Sequence, residues 1–138
     1  MNVNKAIIVG RLTRAPESRM TPNGQTVCSF TVATSRIWKD ADGTRQEKTE
    51  YHNIITWGKL AEICQTYLVK GQMVFVEGRI ETRSWEAPDG TKRTRTEIIA
   101  ENLQLGPKPR GLAVEETPTE EIPLEEPPEE INIEEIPF

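Results

Sequence analysis

Three features predict an all-β domain, a five-stranded Greek-key barrel with one helix, followed by a disordered acidic tail. Five segments read as strands, one of them, residues 26–38, alternating apolar with polar residues at the strand period of two. One segment, between the third and fourth strands, carries its apolar residues at helical spacing instead. Charge is also segregated along the chain. All 17 Lys and Arg lie in residues 1–110, against 12 Asp and Glu, a net of +5; residues 111–138 hold 10 Glu and no cation, a net of −10. The overall −5 averages two pieces of opposite sign, the first of them suited to a polyanionic partner. A chain of 138 residues has room for one ordinary domain plus an appendage.

The first strand covers residues 5–12 and is interrupted by Gly10, which marks a bulge or bend. Thr21-Pro22-Asn23-Gly24 reads as a turn, because Pro22 sets φ and Asn23-Gly24 tolerates positive φ. The second strand, residues 26–38, puts Cys28, Phe30 and Val32 on one face and Ser29, Thr31 and Ser35 on the other. Residues 40–48 are polar, contain Asp42-Gly43 and read as a flexible hairpin loop; residues 49–57 return as the third strand. In residues 59–70, Leu60, Ile63, Cys64, Tyr67 and Leu68 fall at i, i+3, i+4, i+7 and i+8, so a helix there buries all five, and Gly71 ends it as the C′ residue. Residues 72–85 and 92–105 are the last two strands, joined at Pro88-Asp89-Gly90. Five strands with a helix between the third and fourth is the element order of the OB-fold, a partly open barrel that binds oligonucleotides. The apolar helix face is expected to plug one end of it.

After Gly106-Pro107-Lys108-Pro109 the composition changes. Residues 111–138 contain five Pro and ten Glu, with no aromatic residue before Phe138. So little apolar surface cannot offset the entropy of ordering, which predicts disorder. The expected layout is an OB domain at 1–106, a disordered Pro/Glu-rich linker at 107–132 and an acidic tip at 133–138. Glu-Glu-Ile recurs at 120–122, 129–131 and 134–136, followed by Pro at 123 and 137.

Catalysis finds no support. The single histidine, His52, reads as a strand residue packed in the core or at a subunit contact, and no phosphate-binding, metal-ligand or nucleophile motif is present. No cofactor and no metal are expected. Cys28 and Cys64 sit in apolar patterns as small core residues. The N-terminal segment shows no basic leader before a sustained apolar run, and the apolar runs at 6–9 and 73–76 are too short to span a bilayer, so no membrane partner and a cytoplasmic location are expected.

The aromatic residues carry more. Tyr51 and Trp57 are six apart in one strand, which puts both on one sheet face. Trp85 follows Arg83 on a shared face, and Trp38 follows Arg36 at the end of another strand. Lys39, Lys59, Lys92, Arg93 and Arg95 complete a basic surround suited to phosphate contacts. Flat rings among cations suit an unpaired strand: bases stack at about 1–3 kcal/mol each while cations follow the phosphates. Phe30, Phe75 and Tyr67 stay in the core class. Stacking and phosphate contacts alone also fit a general RNA-binding protein, and the acidic tail alone fits an interaction adaptor.

Several segments then converge. Asn4-Lys5-Ala6-Ile7-Ile8-Val9-Gly10-Arg11-Leu12, Thr49-Glu50-Tyr51-His52-Asn53-Ile54-Ile55-Thr56-Trp57-Gly58-Lys59-Leu60-Ala61-Glu62, Tyr67-Leu68-Val69-Lys70-Gly71, Thr82-Arg83-Ser84-Trp85 and the terminal Ile136-Pro137-Phe138 resemble the bacterial and phage single-stranded DNA-binding protein family. The resemblance implies an OB-fold assembling as a homotetramer around single-stranded DNA. It implies base stacking on Trp38, Tyr51, Trp57 and Trp85. It also implies docking of replication, recombination and repair proteins on the tip Glu134, Glu135, Ile136, Pro137 and Phe138. Tyr51 stands where that family commonly has Trp, and Trp57 where it has Phe. A short Pro/Glu segment replaces the family's long Gly/Gln-rich linker, and the tip has Glu where Asp is usual.

Overall fold

The computed structural model of the chain describes residues 1–109. The rest of the expected linker and the whole tip lie outside the described residues. β1 (Ala6–Leu12), β2 (Glu17–Met20), β3 (Thr26–Lys39), β4 (Arg45–Trp57), α1 (Gly58–Tyr67), β5 (Met73–Glu86) and β6 (Lys92–Leu105) follow in that order. The sheet runs β1-β5-β6-β4-β3-β2, and a further β1–β3 pairing closes it. Five strands therefore make the barrel, as an OB-fold requires, and β2 lies outside the closure, hydrogen-bonded to β3.

Closure turns on Gly10. β1 pairs antiparallel with β5 from Ala6 to Arg11, and its last residues, Arg11 and Leu12, also pair with Ala33 and Val32 of β3. A Cβ on Gly10 would lie 2.3 Å from the Ala33 carbonyl oxygen, so only a residue without one lets β1 reach both neighbours. Gly78 does the same at the β5–β6 bulge, where an added Cβ would lie 2.0 Å from the Ile99 oxygen. The core fills the barrel with Val32, Ile54, Val74 and Val76, all fully buried. At one end Ala61, Cys64 and Leu68 complete it against Cys28 and Thr56, whose hydroxyl donates to the Cys28 carbonyl at 2.8 Å. The two cysteines are buried free thiols, as expected of core residues.

Four expectations need correction. β2 has no counterpart among the expected strands because Glu17-Ser18-Arg19-Met20 is exposed along its length and carries no apolar alternation; backbone pairing with Thr26–Ser29 alone defines it. The loop expected at 40–48 shrinks to Asp40–Thr44, since Arg45–Lys48 pair with Arg36–Lys39 in a polar ribbon solvated on both faces. The helix stops at Tyr67, and Leu68 is already extended with its N–H donating to the Cys64 carbonyl. Gly71 is therefore not its C′ residue. It takes φ 83° in the following turn, where its N–H bonds the Leu12 carbonyl at 2.9 Å. That turn is held by buried Gln72, which accepts from the Val69 amide and donates to the Gly106 carbonyl, both at 3.1 Å. Finally, the helix buries a narrower arc than its five-residue pattern predicts. Ala61, Cys64 and Leu68 face inward and Leu60 packs half-buried against the core, while Ile63 lies at the boundary and Tyr67 is 57 % exposed.

Candidate nucleic-acid interface

The β3–β4 pairing runs unbroken from Val27 opposite Trp57 to Lys39 opposite Arg45, so pleat alternation holds along the whole ribbon. Ile54 and Thr56 point into the core, which turns Tyr51, Asn53, Ile55 and Trp57 outward. Tyr51 and Trp57 thus share one face, as their even spacing predicts, and are 65 % and 44 % exposed. Beside them lies an open groove floored by Ser29, Thr31, Asn53 and Ile55. Arg14, Arg19, Arg83 and Arg95 line it, with Glu17 and Glu97 as the only acids among the described lining residues.

Each arginine–tryptophan neighbour pair forms a stack. The Arg83 guanidinium sits 5.0 Å from the Trp85 ring centre, and that of Arg36 sits 4.5 Å from the Trp38 ring centre. Arg83 is also bound through Nε and Nη2 to the two oxygens of Glu97, at 3.1 and 3.2 Å. These bonds raise its pKa further above the ordinary guanidinium value. Arg95 reaches the same carboxylate through Nε at 3.4 Å and donates Nη2–H to Asn53 Oδ1 at 3.0 Å, tying β6 to β4.

The expected site residues do not all converge. Arg83 and Arg95 line the groove, Tyr51 and Trp57 share the outward β4 face of its residues Asn53 and Ile55, and Trp85 with Arg93 continue along its β5–β6 wall by register. Arg36 and Trp38 fall on the opposite pleat face of the β3–β4 ribbon from Tyr51, so a strand touching both must pass around the ribbon's edge. Lys92, opposite Glu86, is likewise on the other face from Arg93, whose guanidinium lies 4.0 Å from Asp89. Lys39 is exposed at the ribbon tip, and Lys59 is exposed in the first turn of α1, two residues past Trp57. His52 is half-buried on the inward side, its Nε2 hydrogen-bonded to Thr34 Oγ1 at 2.9 Å, which fits the packed-strand reading.

The groove residues that sequence leaves without a functional assignment include Arg14, Arg19, Asn53 and Glu97. Arg14 and Arg19 lie in a stretch without periodicity. Glu97 becomes detectable once the hairpin register is drawn, because Arg83 directly opposite Arg95 requires an anion nearby.

The single-strand binding protein family model matches residues 3–106. A Neisseria meningitidis single-stranded DNA-binding protein is 50 % identical over 105 residues, covering 76 % of this chain and 60 % of its own length. The Chlorobaculum tepidum single-stranded DNA-binding protein 1 is 49 % identical over 111 residues, covering 79 % of this chain and 68 % of its own. The chain therefore spans about three-fifths of the Neisseria relative. Among solved structures, the Plasmodium falciparum SSB complex with ssDNA superposes with a TM-score of 0.72 at 28 % identity, over 76 % of this chain and 96 % of that one. A deletion mutant of the Thermus aquaticus single-stranded DNA-binding protein gives 0.68 at 35 % identity, over 79 % of this chain and 52 % of that one. With the family model matching residues 3–106 and the barrel superposing on solved structures of two single-stranded DNA-binding proteins, the chain belongs to the single-strand binding protein family.

Proposed function

We propose that this chain binds and protects single-stranded DNA without strong sequence preference. Bases stack on Tyr51, Trp57, Trp85 and Trp38, and cations contact the phosphates: Arg83, Arg95 and Arg93 along the groove, with Arg36, Lys39, Lys59 and Lys92 around it. The observation that carries this reading is the outward alignment of Tyr51 and Trp57 beside a groove lined by four arginines. A duplex offers only base edges, whereas exposed rings need unstacked bases to engage. A family relative bears single-stranded DNA in its structure, which supports the same partner here.

The chain assembles as a homotetramer. Ile7 and Val9 form an exposed apolar stripe on β1, and Ala6–Gly10 bond to β5 on one edge only, with β3 taking just Arg11 and Leu12. An uncovered apolar strand with a free edge calls for a partner copy. The protein acts in the cytoplasm, at the nucleoid, and its tip Glu134–Phe138 recruits replication, recombination and repair proteins. Phe138 offers a ring beside the acidic Glu134-Glu135 pair, which suits an apolar pocket rimmed by Lys or Arg. Removing Phe138 alone is expected to abolish partner capture and leave DNA affinity unchanged.

Binding of labelled oligo-dT, matched oligo-U and a matched duplex at fixed salt tests the central reading. Oligo-dT is expected to bind far more tightly than the duplex. Equal affinity for duplex, or preference for oligo-U, would contradict it.

A further inference from the structure

Glu97 stands where a phosphate-binding groove should least want it. Its side chain is 5 % exposed, while Arg83 and Arg95 above it are 54 % and 45 % exposed. The two arginines oppose each other directly across the β5–β6 pairing, an arrangement that repels by itself. Glu97 removes that repulsion from below. Arg83 grips it as a fork, Nε on one oxygen and Nη2 on the other, while Arg95 Nε makes a single ion pair with the second oxygen at 3.4 Å. Such fork-to-carboxylate bonds fix the guanidinium plane as well as its place. The plane of Arg83 is what lies over Trp85, and the second arm of Arg95 is what reaches Asn53. Among the described residues, Nη1 of neither arginine makes a hydrogen bond.

Resting on the single-stranded DNA reading, we infer that Glu97 is a positioning residue: it presents Arg83 and Arg95 as a fixed, outward-facing pair of phosphate donors and holds Arg83 on Trp85. The carboxylate sits in the groove as an inner counter-ion whose charge opposes DNA while its geometry favours it. Geometry wins, because the carboxylate's charge is already offset by the two guanidiniums it contacts, whereas without it Arg83 keeps only the Trp85 face and Arg95 only Asn53.

The sign of one substitution decides this. Glu97→Gln adds one unit of positive charge to the groove, so simple electrostatics demands tighter binding. Positioning demands the reverse: affinity for oligo-dT about five- to tenfold weaker than wild type at moderate salt. Positioning also requires a plot of log affinity against log salt that is shallower by about 0.7 for each phosphate no longer neutralised. Glu97→Asp keeps the charge but falls one methylene short, and is expected to lie between Gln and wild type on both readouts. Val74→Ala, in the core away from the groove, controls for lost stability; it lowers the unfolding temperature and leaves the salt slope alone.

Tighter or unchanged binding by Glu97→Gln overturns the inference. Should that variant fail to fold, wild-type affinity and slope in Glu97→Asp overturn it equally. A slope change matched by Val74→Ala would assign the effect to stability and overturn it as well. Failure of the wild type to bind oligo-dT would instead remove the single-stranded DNA reading beneath it.

Discussion

Trp85 and Trp57 differ in what their rings cover. Trp85 stands on the β5–β6 ribbon with Arg83 on its face, where nothing of the core depends on it. Trp57 stands opposite Val27, which is buried although it lies on the outward pleat face of β3. Truncating either ring removes a stacking platform, at a cost of about 1–3 kcal/mol in single-strand binding. The two should separate in stability. Trp85→Ala is expected to unfold at nearly the wild-type temperature, while Trp57→Ala unfolds lower because Val27 becomes uncovered. Oligo-dT titration together with thermal unfolding checks both, and undiminished affinity in both variants would remove the stacking assignment. The partners of these rings are legible in part. Arg36 and Arg83 precede their tryptophans by two residues, a spacing any strand converts into proximity. Asn53 is not legible, since its role depends on Arg95, 42 residues away, on a strand that pairs with β4 at only two positions.

The elements that carry the rings are hairpins whose turns are held by carboxylates. Asp40 accepts from the Thr44 and Asp42 amides and from Gln46, just past Trp38. Asp89 accepts from the Thr91 hydroxyl and amide, just past Trp85. Glu77 accepts from Lys5, joining β1 to β5, and more weakly from Asn102. These bonds hold all three carboxyls below their ordinary pKa values: Thr44 chiefly for Asp40, Thr91 for Asp89 and Lys5 for Glu77. A depressed carboxyl stabilises fully above its unfolded pKa, about 3.9 for Asp and 4.3 for Glu, and loses that contribution as pH falls through the folded value. The unfolding temperature should therefore hold between pH 7 and 5 and drop below pH 4. Asp40→Asn with Asp89→Asn should flatten that drop, and an unaltered acid limb in the double variant would contradict the assignment. Element by element, alternation is readable where one face meets the core, as in Cys28–Val32. It vanishes where both faces meet water, which is why β2 and Arg45–Lys48 leave no strand signal. The helix pattern overstates burial at its last turn, where Tyr67 turns to solvent while Leu60, Ala61 and Cys64 pack on the core.

At the scale of the whole molecule, one barrel offers few stacking rings, and Trp38 lies on a ribbon face that a straight strand cannot share with Tyr51 and Trp57. Several copies would supply a continuous path. The exposed Ile7 and Val9 stripe, beside the partly paired edge of β1, is the surface expected to join them. Sedimentation at micromolar concentration should return four times the 15.6 kDa chain mass, and Val9→Glu should lower it; a monomeric wild type would contradict the assembly. The fold class, the segregation of charge and the arginine neighbours of Trp38 and Trp85 are written into local pattern. The groove itself is not, because it forms where β2, β3, β4 and the β5–β6 ribbon meet, and its floor and its central carboxylate come from residues with no short-range signature.

Exposed rings beside an arginine-lined groove are proposed to hold unpaired bases. Titration of the full chain with oligo-dT, followed by intrinsic tryptophan fluorescence at several salt concentrations, addresses it directly. Strong saturable quenching with oligo-dT, and none with a duplex of equal length, is the result the stacking geometry predicts. Saturable binding of oligo-dT without quenching, or equal quenching by the duplex, would contradict it.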